Sequence, residues 1–82
     1  MPTVFREGDC RYFFFSSDGA EPIHVHVRRA GDTAKFWLDD VISLVYNNGF
    51  RQNEISEIRK IIRRNRRRIE AKWNDYFSSE TG

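Results

Sequence analysis

Between Asn53 and Phe77 the chain runs for 25 residues without a glycine or a proline. Within it Ile55, Ile58, Ile62, Asn65, Ile69, Trp73 and Tyr76 recur at three- and four-residue intervals. That spacing puts them on one stripe of an α-helix, which Ile61 and Phe77 widen. Asn53 suits an N-cap, and Glu54 and Glu57 suit the positive end of the helix dipole. A helix over residues 53–77 would be roughly 37 Å long at ~1.5 Å per residue, whereas a five-residue strand spans only about 17 Å. It would therefore overhang any sheet built from the first 50 residues. Its isoleucine-rich first half has a sheet to cover. Trp73, Tyr76 and Phe77 have too little chain left to pack against, so either the helix bends back or these three aromatics form a partner interface.

The preceding residues read as strands. Thr3–Arg6 is β-branched and aromatic, and Glu7-Gly8-Asp9 turns it. Cys10–Ser16 reads as one strand covered on both faces, followed by a loop over Ser16–Ala20. From Ile23 to Arg28 the alternation is strict: Ile23, Val25 and Val27 face one way, His24, His26 and Arg28 the other. Ala30-Gly31-Asp32 is a hairpin turn. Ala34, Phe36 and Leu38 then share a face, with Lys35 and Trp37 opposite. Val41–Tyr46 reads as a further strand through its β-branching, a short helix being the alternative, and Asn47-Asn48-Gly49 as a turn. The expected fold is α+β: one domain over residues 1–82, mostly β over 1–50. Its four- or five-stranded antiparallel sheet would pack against one long basic amphipathic C-terminal helix over 51–78.

Several classes are excluded. No apolar run approaches the ~20 residues of a membrane span. The first residues lack a basic segment followed by an apolar one, so no signal peptide is expected. The single cysteine, Cys10, allows no internal disulfide and reads as a packing residue, which suits a cytoplasmic chain. The net charge of +2 hides an asymmetry: the first 50 residues carry five basic against seven acidic side chains, the remainder nine against five. Eight of the 14 basic residues lie between Arg59 and Lys72. Arg59, Arg63, Arg64, Arg67 and Arg68, flanking the apolar stripe with Arg66, are candidates for phosphate contacts, and the imbalance points to an anionic partner, RNA first, with DNA or an acidic protein as alternatives. The alternative is a solvated helix face.

Both histidines lie in Pro22-Ile23-His24-Val25-His26-Val27. Two positions apart on a strand they share a face, about 6–7 Å apart. They can serve as an acid–base pair, as non-catalytic ligand contacts, as structural side chains or as metal ligands. Zinc needs a third and usually a fourth ligand, and only Cys10 or carboxylates such as Glu21 and Asp18 remain, so neither a metal nor another cofactor is expected. Cleavage of RNA through its 2′-OH needs a base, an acid and a cation for the phosphorane. His24, His26 and Lys35 supply those types, Arg6 and Arg28 would hold phosphate, and Tyr12 or Trp37 could stack a base.

Met1-Pro2-Thr3-Val4-Phe5-Arg6, Tyr12-Phe13-Phe14-Phe15-Ser16-Ser17-Asp18-Gly19, Glu21-Pro22-Ile23-His24-Val25-His26-Val27, Ala34-Lys35-Phe36-Trp37-Leu38 and Asn48-Gly49-Phe50 together form a specific signature. With Trp73-Asn74-Asp75-Tyr76-Phe77 it resembles, over nearly the whole chain, a small bacterial family of unknown function, number 4160. The family motif includes the matched Arg6, Glu21, His24, His26 and Lys35. The resemblance implies one half of a two-gene, toxin–antitoxin-like cassette, though no established activity comes with it. The arginine run Arg63–Arg68 departs from the mixed charge expected there. The leading expectation is therefore the toxin of a type II module, a metal-independent endoribonuclease with a small antitoxin as partner. The alternative is a non-catalytic nucleic-acid- or protein-binding module, antitoxin or regulator, using the basic helix. A homodimer fits either reading.

Overall fold

Strict alternation along two central strands sets the two faces of the sheet. The structure, a computed structural model, describes residues 3–78. The strands are β1 (Thr3–Glu7), β2 (Cys10–Phe13), β3 (His24–Arg29), β4 (Asp32–Leu38) and β5 (Ile42–Asn48). They form one antiparallel sheet in chain order, so every neighbour is joined by a local connection. A single 3-10 turn, Asp18–Ala20, interrupts the β2–β3 connection. The β3–β4 hairpin closes on Ala30 and Gly31 as expected, and Ala30 adopts φ +52°. Among the described residues no helix is long and apolar enough to cross a membrane.

Val25, Val27, Ala34 and Phe36 are fully buried on one face, with Phe5, Tyr12, Leu38 and Ile42 beside them. They meet Ile55, Ile58, Ile62 and Ile69 from the helical layer in one core. Tyr12 is stacked on Phe5 at 4.4 Å inside that core, so no base can stack on it.

The single long helix is corrected to two: α1 (Gln52–Arg64) and α2 (Arg66–Ser78), separated at Asn65. The Asn65 side chain is the local cause. Its amide Nδ2 donates to the Ile61 carbonyl at 2.8 Å, and its backbone N–H is shared between the Ile61 and Ile62 carbonyls at 3.1 Å each. Asparagine competes for helix carbonyls in this way, and its backbone here (φ −106°, ψ 16°) has left helical values. Each 13-residue helix is then about 20 Å long, commensurate with the sheet.

The break removes the overhang. It brings Trp73, Tyr76 and Phe77 back onto Phe14, with ring centroids 5.2, 5.6 and 5.3 Å away. Phe14 is fully buried there. This is why β2 stops at Phe13 instead of running to Ser16: Phe14 leaves the sheet to join the helix. A Cβ on Gly19 would stand 2.6 Å from the Phe77 ring, so the loop needs glycine for its close approach to α2.

Two further boundaries shift. β5 continues through Asn47 and Asn48, and the turn falls at Gly49, which adopts φ +109°. The Asn47 side chain closes it, accepting from the Phe50 N–H and donating to the Phe50 carbonyl. Helix α1 starts before Asn53, with Arg51 at the N-cap position and the Glu54 carboxylate accepting from the Arg51 N–H at 2.9 Å.

Glu54 also accepts from the Arg29 guanidinium, which bonds Asp32 at 2.9 Å. The Arg29 hydrogen bond, aided by the Arg51 N–H, holds the Glu54 carboxyl down at about 2. A carboxyl depressed in the folded chain stabilises it above its ordinary value, and that contribution disappears as pH falls through the folded value. Glu54→Gln is accordingly expected to reduce the dependence of stability on pH between roughly 4.5 and 2. Urea unfolding of both proteins across that range checks it; parallel curves would show that Glu54 is not coupled to folding.

Candidate functional site

The register across the sheet aligns Phe13, His26, Lys35 and Tyr46 in one row from β2 to β5. All four lie on the face opposite the core, because the neighbouring Tyr12, Val27, Ala34 and Val25 point into it. His24 and Trp37 form the adjacent pair. The connection from Phe14 to Ile23 folds over this face and delivers Asp18. Its carboxylate Oδ2 lies 3.0 Å from His24 Nε2 and 3.1 Å from His26 Nε2. Two hydrogen bonds fix the loop: the Phe15 N–H donates to Asp18 Oδ2 at 2.7 Å, and the Asp18 N–H to the Phe15 carbonyl at 3.0 Å.

The rings around this carboxylate are closely packed. His26 stacks on Phe13 at 5.4 Å and meets the edge of Phe15 at 4.7 Å. His24 contacts Trp37 at 5.4 Å and Trp73 at 5.1 Å. His24 is fully buried and His26 is 6% exposed. The Tyr46 hydroxyl lies 3.5 Å from His26 Nδ1. Lys35 ion-pairs with Glu21 at 2.8 Å and lies over the Trp37 ring.

Burial pushes the Asp18 carboxyl up, but the Phe15 N–H and the two imidazoles, His24 foremost, outweigh it and hold it below the ordinary carboxylate range. Burial also pushes the His26 imidazole below its usual value, against the pull of Asp18. The hydrogen bond from Lys35 lowers Glu21. Burial raises the Cys10 thiol, as befits a packing residue.

The fold thus brings together four of the singled-out residues, Glu21, His24, His26 and Lys35. It adds Asp18, which the sequence offers only as a spare carboxylate in a loop. Arg28 lies on the same face, two residues along β3 from His26. Arg6 is aligned with it through Arg11, in a row Arg6–Arg11–Arg28 across three strands. Arg11 was not singled out; its only sequence signal is the alternation with Tyr12. Trp73, expected at a partner interface or in a helix bent back, is 8% exposed within the chain, while Tyr76 and Phe77 are half-buried beside it.

A second candidate surface lies on the outside of the helices. Lys60, Arg63, Arg64, Arg67, Arg68 and Lys72 are all exposed. Arg64 pairs with Glu7 at 3.2 Å, Lys60 with Glu57 at 3.7 Å, and Arg68 lies over the Phe5 ring. Arg63, Arg67 and Lys72 have no ion-pair partner among the described residues. Arg59 and Arg66 are engaged inward instead, donating to the carbonyls of Ile42 at 3.0 Å and Leu38 at 2.9 Å. They fasten the helices to the β4–β5 end of the sheet.

The family profile described as "Domain of unknown function (DUF4160)" matches residues 10–74, which include both surfaces. No curated protein and no solved structure matches the chain.

Proposed function

The chain belongs to the DUF4160 family of domains of unknown function, and from that premise we propose that it is a non-catalytic binding module for single-stranded RNA, acting through the outer surface of α1 and α2. One observation carries this reading. Six basic side chains from Lys60 to Lys72 are exposed on the two helices, and three of them have no ion-pair partner among the described residues. Cations left unpaired on one surface attract a phosphate backbone and release its counterions on binding. Contacts of this kind are independent of base sequence.

Replacing Arg63, Arg64, Arg67 and Arg68 by Gln tests it. All four are exposed, so the fold is expected to survive. Each single-strand phosphate contact contributes about 0.7 to the slope of log affinity against log salt, so four lost contacts reduce it by up to about 2.8. Anisotropy titrations of a labelled RNA oligonucleotide at several salt concentrations measure that slope. An unchanged slope would remove these arginines from the interface.

A second reading, a ribonuclease toxin using His24, His26 and Lys35, is favoured by the meeting of both imidazoles at Asp18 and by the pairing of Lys35 with His26 across β3 and β4. It requires RNA to reach both imidazoles, and their burial weighs against that. Expression in cells separates the two readings. Growth arrest with degraded RNA, relieved by the cassette partner and lost in His26→Ala, would establish the toxin. Normal growth with intact RNA leaves the binding module.

A further inference from the structure

We propose that Asp18, His24 and His26 form a binding site for a divalent transition-metal ion of the zinc type. Its donors are Asp18 Oδ2, His24 Nε2 and His26 Nε2. One ligand atom from each of the three residues lies within 4.8 Å of the others.

The strongest indication is His24. Its Nδ1 lies 2.9 Å from the Pro22 carbonyl, which fixes the proton on Nδ1 and leaves a lone pair on Nε2. That Nε2 is fully buried and has no hydrogen-bond partner among the described residues. It is nonetheless aimed at Asp18, 3.0 Å from Oδ2: close enough for an ion pair, but not aligned for a hydrogen bond. In the neutral ring that lone pair repels the carboxylate oxygen at this distance, and a cation must join them, either a proton on Nε2 or a metal ion. A proton does so poorly at this angle; a metal ion bonded to both does not need the donor atoms to point at one another.

The spacing supports the same assignment. An ion about 2.1 Å from each of its donors in a tetrahedral arrangement separates those donors by about 3.4 Å. The two Asp18–imidazole distances are 3.0 and 3.1 Å, a few tenths of an ångström short of that. Two imidazoles select zinc-type ions over calcium or magnesium, which take oxygen ligands. Three protein donors leave one position for water. The site joins the Phe14–Ile23 connection to β3, and through the His24–Trp73 contact it abuts α2. Metal binding should therefore tighten the loop onto both layers.

The test uses untagged full-length protein stripped with a chelator and titrated with zinc chloride. Wild type is expected to take up one equivalent per chain, and its thermal midpoint to rise with zinc. Asp18→Asn preserves the shape of the side chain but removes the anionic ligand, and is expected to lower zinc affinity by at least about 100-fold, beyond the usual loss for outer-shell groups. Glu57→Gln is expected to bind like wild type, because Glu57 is exposed on α1 and pairs with Lys60, across the core from the site. Absence of zinc uptake by wild type, undiminished affinity in Asp18→Asn, or an equal loss in Glu57→Gln would each overturn the assignment. Zinc-edge X-ray absorption of wild type needs no variant: two imidazole nitrogens in the shell support the site, and a sulfur ligand or a shell without imidazole overturns it.

Discussion

Trp73→Ala is expected to destabilise the isolated protein by about 3–5 kcal/mol, the usual cost of truncating a large buried aromatic. Trp73 is 8% exposed, with Phe77 at 4.5 Å, His24 at 5.1 Å and Phe14 at 5.2 Å. Its removal opens a cavity between α2, the β2–β3 connection and the outer face of β3. A domain of this size has little stability to spare, so a large part of the population should unfold at ambient temperature. Urea titration followed by circular dichroism measures the loss. Wild-type stability in the variant would mean that Trp73 serves a partner interface and not the chain's own packing.

His24→Ala is expected to cost about 2–4 kcal/mol, with its effect on folding preceding any effect on function. Alternation alone puts His24 opposite the apolar face, where truncation should leave the fold intact. The structure reverses that expectation, because the connection after β2 and the end of α2 cover the opposite face as well. His24 is fully buried against Trp37 and Trp73. Its loss leaves a void and removes one of the two imidazoles paired with the Asp18 carboxylate. Thermal unfolding in the presence of chelator isolates this packing effect. An unchanged midpoint would show that the rings around His24 close over the gap without loss.

Where periodicity governs, the fold could be read directly. The two faces of β3 and β4, the hairpin at Ala30 and Gly31, and the isoleucines of the helical stripe all follow from residue spacing. What escaped is set by single side chains acting across the fold. Asn65 occupies a stripe position, and its spacing says nothing of the hydrogen bond to Ile61 that ends α1. Phe14 sits in an aromatic run that reads as strand, yet it packs on residues more than 50 positions away. The convergence of His24, His26 and Lys35 follows from alternation and register. Asp18 does not, because a loop residue has no period to reveal where it lands. Likewise the arginine run marks a basic surface, but spacing cannot say that Arg59 and Arg66 turn inward to backbone carbonyls while Arg63 and Arg67 remain exposed.

RNA is expected to meet the helical surface and not the histidine face. Backbone amide NMR of the isotope-labelled protein, titrated with a single-stranded RNA oligonucleotide at low salt, locates the contact most directly. Shifts are expected between Lys60 and Lys72, reversed by added salt, with the amides of Phe13, His26, Lys35 and Tyr46 unmoved. Shifts concentrated on those four residues, or no shifts at all, would contradict it.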